Sequence, residues 1–208
     1  MIFDMDGTLV DSSRDIADSL NHTLKALGFS VKSREEVQDL IGEGMKRLLE
    51  KATGSSEEAL VQKAVGIFRE HYLEHCADST ALYPGAREIL EEYRAKKKAM
   101  ISNKPYPMVL KILEHCGIKD SFDAVLGAES TAEKKPHPEP VLKSIALMGV
   151  PAGSSLIVGD GPTDIQAGKA AGILTCAVTY GFKDRKLLET CNPDFFIDRI
   201  EDLRKIVC

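Results

Sequence analysis

Met1-Ile2-Phe3-Asp4-Met5-Asp6-Gly7-Thr8 opens the chain, and Ser155-Leu156-Ile157-Val158-Gly159-Asp160-Gly161-Pro162-Thr163-Asp164 follows far downstream. In each stretch a short apolar run ends in acid. A continuous apolar run bounded by turn residues suits a strand buried on both faces. Ala99-Met100-Ile101, ending at Ser102, Ala124–Leu126, Ile173–Val178 and Phe195–Ile197 are further strand candidates. Between them lie stripes of helical period: Ile89, Leu90 and Tyr93; Val109, Leu110 and Leu113; Val141, Leu142, Ile145 and Ala146. Strands alternating with helices predict an α/β fold, with a doubly wound, Rossmann-like parallel sheet.

Residues 12–80 break that rhythm. They hold no good strand, but three helical stripes: Ile16, Leu20, Leu24 and Leu27; Leu40, Ile41, Met45, Leu48 and Leu49; Val61, Ala64, Val65, Phe68 and Tyr72. Gly42 and Gly44 interrupt the second. This segment is expected to be an all-helical insert, with the α/β core built from residues 1–11 and 81–208. The chain returns to the core near Tyr83-Pro84-Gly85, a turn composition.

The acids fall at strand ends, where open α/β sheets bind ligands. Asp4 and Asp6 follow the first strand and, two apart in extended chain, project to one side. Asp160 follows the Ser155–Val158 strand, and Asp164 comes four residues later. If those strands are neighbours the four carboxylates converge, and only a bound cation makes such a cluster tenable. The donors are all hard oxygens, which suit Mg²⁺ rather than zinc. Taken alone, Asp164 is equally well read as a helix cap. Ser102 and Asn103 offer a hydroxyl and backbone amides at a strand-to-helix turn, good donors for phosphate, although the pair alone reads as a helix start. Gly7 permits a sharp turn that Thr8 can cap. Lys135 sits in Lys134-Lys135-Pro136-His137-Pro138, where flanking prolines fix the direction of an ammonium that could offset phosphoryl charge. Thr8, Gly44, Lys46 and Arg47 are candidate substrate contacts, the last three in a loop bordering the site. His71 and His75, four apart, are read as part of an exposed charged face rather than as zinc ligands.

Composition narrows the field. The 208 residues are 43% apolar and 28% charged, with a net charge of −5 and no dense Lys/Arg block, so nucleic-acid binding has little support. No apolar run approaches the roughly 20 residues of a membrane helix, and an acid at the fourth residue does not suit a signal peptide. Five cysteines (Cys76, Cys116, Cys176, Cys191 and Cys208), an odd number without a CxxC pair, suit free thiols in a reducing cytoplasm.

Four segments in order, Asp4-Met5-Asp6-Gly7-Thr8, Ser102-Asn103-Lys104-Pro105, Lys135-Pro136-His137-Pro138-Glu139-Pro140 and Gly159-Asp160-Gly161-Pro162-Thr163-Asp164, strongly resemble the haloacid dehalogenase superfamily of phosphatases over nearly the whole chain. Dehalogenases proper carry Tyr where Asp6 stands, so Asp6 implies phosphoryl chemistry. The insert looks like the small helical cap of that superfamily. Ile41-Gly42-Glu43-Gly44 leading to Leu48-Leu49, Tyr-Pro-Gly and Ser-Asn-Lys-Pro are most similar to the phosphoglycolate phosphatase subgroup. The resemblance implies hydrolysis of a small phosphorylated metabolite, 2-phosphoglycolate, to glycolate and phosphate. It implies Asp4 as nucleophile, Asp6 as general acid and then base, Ser102 and Asn103 on the phosphate, and Lys135 on the phospho-enzyme. Mg²⁺ would be held by Asp4, the Asp6 carbonyl and Asp160, with Asp164 in support. Relatives of this kind carry a few more residues before the first Asp, so either the natural start lies upstream or the first strand is short.

Three alternatives stay open on these residues. A phosphoglucomutase-like phosphotransferase shares every core residue and differs in the cap. A pyrophosphate or nucleotide monophosphate hydrolase also fits the core motifs. A receiver-like signalling module uses similar groups at strand ends, but the long insert and Asp6 argue against it. Monomer and homodimer are not distinguished.

Overall fold

A computed structural model describes residues 1–207, and Cys208 lies outside them. The chain runs through β1 (Ile2–Phe3) and β2 (Val10–Asp11) into four helices, α1 (Ser13–Ala26), α2 (Arg34–Leu40), α3 (Met45–Thr53) and α4 (Glu58–His75). It returns through β3 (Ala81–Leu82) and continues as α5 (Ala86–Glu92), β4 (Ala99–Ile101), α6 (Tyr106–His115), β5 (Ala124–Leu126) and α7 (Glu139–Met148). Then come β6 (Leu156–Gly159), α8 (Pro162–Ala170), β7 (Leu174–Val178), α9 (Arg185–Thr190), β8 (Phe195–Ile197) and a 3₁₀ turn, Ile200–Lys205.

Every apolar run singled out in the sequence forms a strand of one parallel sheet, in the order β5-β4-β1-β6-β7-β8. Side chains alternate across it. Ile2, Ala99, Ile101 and Ile157 pack with Val141, Ile145 and Ala167 of α7 and α8. Phe3, Met100 and Val158 face the opposite layer, with Ile89, Leu90, Val109 and Leu113 of α5 and α6. Both faces are therefore covered, which explains strands without polar alternation. The chain moves outward from β1 through β4 to β5 on one side, and through β6, β7 and β8 on the other. The reversal lies between β1 and β6, and ligands bind at such a switch point.

The sequence did not disclose β2 and β3. They pair antiparallel, Val10 with Leu82 and Asp11 with Ala81, as a ribbon separate from the main sheet. Two residues per strand leave too little pattern to detect. Residues 12–80 run from the end of β2 to the start of β3 and contain α1–α4. Asp15, 3% exposed, ties this junction together: its carboxylate accepts from Ser79 N, Thr80 N (2.8 Å) and Thr80 Oγ1 (2.7 Å). The helices share one continuous apolar cluster with the α5/α6 side of the sheet, through Ile16, Leu20, Leu49, Phe68 and Tyr72. The second helical stripe divides into α2 and α3 because Gly42 and Gly44 both take positive φ, +124° and +88°. His71 is not on an open charged face. Its ring stacks against His22 (centroids 4.1 Å apart) and lies 4.4 Å from His75, and Nδ1 meets Ser19 Oγ at 2.9 Å. Among the described residues no helix is long and apolar enough to cross a membrane.

Candidate active site

Parallel register assembles the acids. Phe3 pairs with Met100 on one side and Val158 on the other, and Asp4 N donates to Val158 O at 2.9 Å. Asp4 therefore leaves the sheet beside the end of β6, where Asp160 follows. A carboxylate oxygen from each of Asp4, Asp160 and Asp164 lies within 4.8 Å of the others, the one such group of acid, His or Cys among the described residues. Gly7 makes this close approach possible. Its φ is +77°, and a Cβ there would lie 2.1 Å from Asp160 Oδ2. Asp160 Oδ2 is held by Phe182 N at 2.7 Å.

Lys135 reaches into the cluster from the loop before α7. Its ammonium donates to Asp4 Oδ1 at 2.7 Å, Asp164 Oδ1 at 2.6 Å and Ile101 O at 3.1 Å. Asp164 is also the helix cap the sequence suggested, since its Oδ2 accepts from Gly161 N at 3.0 Å at the start of α8.

Burial, then the Asp164 carboxylate, pushes Asp4 up to about 7 against the pull of Lys135. Burial and the Asp4 and Asp164 charges likewise raise Asp160 well above the usual carboxylate range. Burial opposes the Lys135 charge, but Asp164 and Asp4 outweigh it and hold the ammonium above its ordinary value. The cause is surplus negative charge in a nearly dry site. Asp4, Asp160 and Asp164 converge beside one bonded ammonium, Lys135, while the Asp6 carboxylate stands apart from that group on Lys104. The all-oxygen donor set of the three acids suits a hard divalent cation.

The cluster forms the floor of a cavity of about 670 Å³, counted with its mouth, between the carboxyl ends of the strands and the inserted helices. Asp4, Asp6, Ser102, Asn103, Asp160, Asp164 and Gly44 line it. A Cβ on Gly44 would stand 3.2 Å from Asn103 O, so the cap loop passes close to the core there. The Asn103 side chain is already used: Nδ2 donates to Gly42 O (2.9 Å) and Lys135 O (2.8 Å), and Oδ1 accepts from Lys135 N (3.0 Å). It clips the cap loop and the lysine loop together, which leaves its backbone N–H as the group it can offer a phosphate.

Three expected substrate contacts are placed elsewhere. Lys46 pairs with Glu58 at 2.9 Å and Arg47 with Glu50 at 2.6 Å, both outside the cavity lining. Met45 and Leu48 of α3 face the cavity, and at 100° per residue the two positions between them point away. Thr8 is fully buried under the turn, off the lining, and its hydroxyl has no hydrogen-bond partner among the described residues.

The sequence passed over Lys104, Tyr72 and Lys183. Lys104 Nζ donates to Asp6 Oδ1 at 2.6 Å and to the hydroxyl of Tyr72, on α4, at 2.7 Å. Ser12 Oγ also donates to Asp6 Oδ1. Lys183 reaches from the core to Gln38 O (2.9 Å) and Asp39 O (2.7 Å), carbonyls in the last turn of α2, the first of which also accepts from Ile41 N (3.3 Å). Lys104 lay inside a quoted motif and Tyr72 in a helical stripe read as core; Lys183 carried no local signal.

Against known proteins, the sequence model described as haloacid dehalogenase-like hydrolase matches residues 1–178. The chain belongs to the haloacid dehalogenase-like hydrolases. Among relatives of this hydrolase, "Phosphoglycolate phosphatase" of Aquifex aeolicus is 39% identical over 209 residues, covering 100% of this chain and 95% of the relative. The protein of the same name from Vibrio parahaemolyticus is 35% identical over 214 residues, covering 99% and 94%. A solved structure described as a predicted phosphoglycolate phosphatase from Haemophilus somnus superposes with a TM-score of 0.90 at 32% identity, covering 99% of this chain and 96% of that one. The α/β core read from the sequence is thus that of the family.

Proposed function

We propose that this hydrolase cleaves a small phosphomonoester, 2-phosphoglycolate, to glycolate and phosphate through an acyl phosphate formed on Asp4, with Mg²⁺ as cofactor. The observation that carries the reading is the Asp4–Lys135–Asp164 ion-pair chain beside Asp160, at the switch point of the sheet. It holds one carboxylate of the site between a fixed ammonium and a cation-binding group. Asp4, Asp160, Asp164 and the Asp6 carbonyl would hold the metal, which when bound lowers the repulsion between a phosphate dianion and an attacking carboxylate.

The residues divide the work as follows. Ser102 Oγ and the Asn103 N–H hold phosphoryl oxygens. A carboxylate oxygen of Asp4 attacks phosphorus as the P–O bond to the leaving group breaks. Asp6 gives its proton to the departing alkoxide. Ser12 and Lys104 both bond to Asp6 Oδ1, which leaves Oδ2 as the oxygen that carries the proton. The ionised Asp6 then takes a proton from water. The resulting hydroxide attacks the phosphorus on Asp4, which releases phosphate and restores both carboxyl groups. Lys135 offsets charge on Asp4 and the phosphoryl oxygens throughout.

The test is Asp4→Asn assayed on 2-phosphoglycolate with Mg²⁺. Turnover should vanish while the melting curve stays that of a folded protein. Full activity in this variant removes Asp4 as nucleophile.

A further inference from the structure

The catalytic acids and Lys135 account for the phosphoryl end of a substrate, and the leaving group must extend toward the cap. There the wall is apolar: Ile16, Ile41, Met45, Leu48 and Phe68. Such a wall gives a polyhydroxy leaving group nothing to bond, and each hydroxyl desolvated without a partner costs on the order of 1–3 kcal/mol. Two polar side-chain groups interrupt it near Asp6: the Lys104 ammonium, on a residue 8% exposed, and the Tyr72 hydroxyl, on a residue 2% exposed. Lys183 also lines the cavity, but its ammonium is engaged by the carbonyls of α2.

We propose that Lys104, steadied by Tyr72, is the specificity-determining residue: it binds a carboxylate on the leaving group and selects phosphorylated 2-hydroxy acids over neutral phosphoesters. An ammonium has three donor hydrogens. Asp6 and Tyr72 take two, and one is left for a ligand in the cavity that the side chain lines. Position gives the substrate class. Lys104 Nζ is 2.6 Å from the carboxylate that protonates the leaving oxygen, so an anion bound to the same nitrogen lies near that oxygen, within the reach of a short leaving group. A carboxylate on the carbon bearing the ester oxygen meets this requirement. Tyr72 belongs to the cap and Lys104 to the core, so the contact that holds the ammonium in place also joins cap to core.

This proposal deepens the phosphatase reading and rests on it; the experiment separates the two. kcat and KM are measured for 2-phosphoglycolate and for 2-hydroxyethyl phosphate, its neutral counterpart, in the wild type, Lys104→Met and Tyr72→Phe. The wild type should prefer the acid by about 100-fold in kcat/KM, the size expected for one charge-assisted hydrogen bond. In Lys104→Met the acid should lose about 50-fold, mostly in KM, and the neutral ester about fivefold, so the preference collapses. Tyr72→Phe should lower the preference by about five- to tenfold, and it carries the test if the methionine variant fails to melt as a folded protein. Equal losses on both esters overturn the proposal and reduce Lys104 to a positioning residue for Asp6. A wild type that acts on neutral esters equally well overturns it too, with the phosphatase reading intact. Inactivity of the wild type toward every phosphomonoester removes both.

Discussion

Replacing Lys135 with methionine removes a charge that the fold surrounds with two carboxylates and a carbonyl, at 2.7, 2.6 and 3.1 Å, with 2% of the side chain exposed. Methionine keeps most of the volume, so the loss is electrostatic. Breaking a buried ion pair by removing one partner costs about 3–5 kcal/mol, because the other charge stays behind unpaired. In a chain of this length each kcal/mol moves the melting temperature by about 2–4 °C, so the metal-free variant should melt about 6–20 °C lower. The loss depends on pH. Asp4 already stands at about 7, raised by burial and by Asp164, and Lys135 is what restrains it. Without the lysine its folded value rises further. A carboxyl whose folded pKa exceeds its unfolded one binds more protons when folded, so stability falls as pH rises from about 4 toward the folded value. The variant's deficit should therefore be larger at pH 8 than at pH 6. Urea denaturation in chelator at the two pH values measures it. A loss under about 1 kcal/mol, or one of equal size at both, refutes the reading of Lys135 as the charge that holds the carboxylates together.

Three further outcomes follow from the same structure. Asp15→Ala strands the buried Thr80 N–H at the junction of the core and the inserted helices, a loss worth about 1–3 kcal/mol, so it should lower the melting temperature by about 2–12 °C. Differential scanning calorimetry checks this, and an unchanged melt refutes the role of Asp15 as junction anchor. Chelation should abolish turnover and Mg²⁺ restore it, while Mg²⁺ also raises the melting temperature of the wild type but not of Asp160→Asn; a thermal shift equal in both refutes the acid group as the metal site. Asp194 accepts from Thr175 Oγ1 (2.7 Å) and Thr175 N (2.8 Å), and these bonds hold its carboxyl below the usual range. That stabilisation is present above about pH 4 and is lost as pH falls through the folded value, so Asp194→Asn should melt below the wild type at pH 7 and converge with it in acid.

Much of this architecture is legible without coordinates. The six core strands are continuous apolar runs because both faces of the sheet are covered, and that local signature survives in one dimension. The acids at Asp4, Asp6, Asp160 and Asp164 were legible for a related reason, since each follows a strand or opens a helix and so stands at the carboxyl end of the sheet. The ribbon of β2 and β3 was not legible, because two residues have no measurable period. The second stripe of the insert read as one helix with a break, and the positive φ at Gly42 and Gly44 makes it two.

By itself the sequence determined the order of the core strands and their helices, the helices that follow the first core strand, and which acids stand at strand ends. Each of these is a local consequence of periodicity and turn chemistry. Only the tertiary structure decided which groups meet: Lys135 with Asp4, 131 positions away, Lys104 with both Asp6 and Tyr72, and Asn103 with the cap loop. It also turned Lys46 and Arg47 outward and buried Thr8. These pairings depend on parallel register and on how the insert packs against the sheet, and such contacts between distant segments leave no periodic trace along the chain.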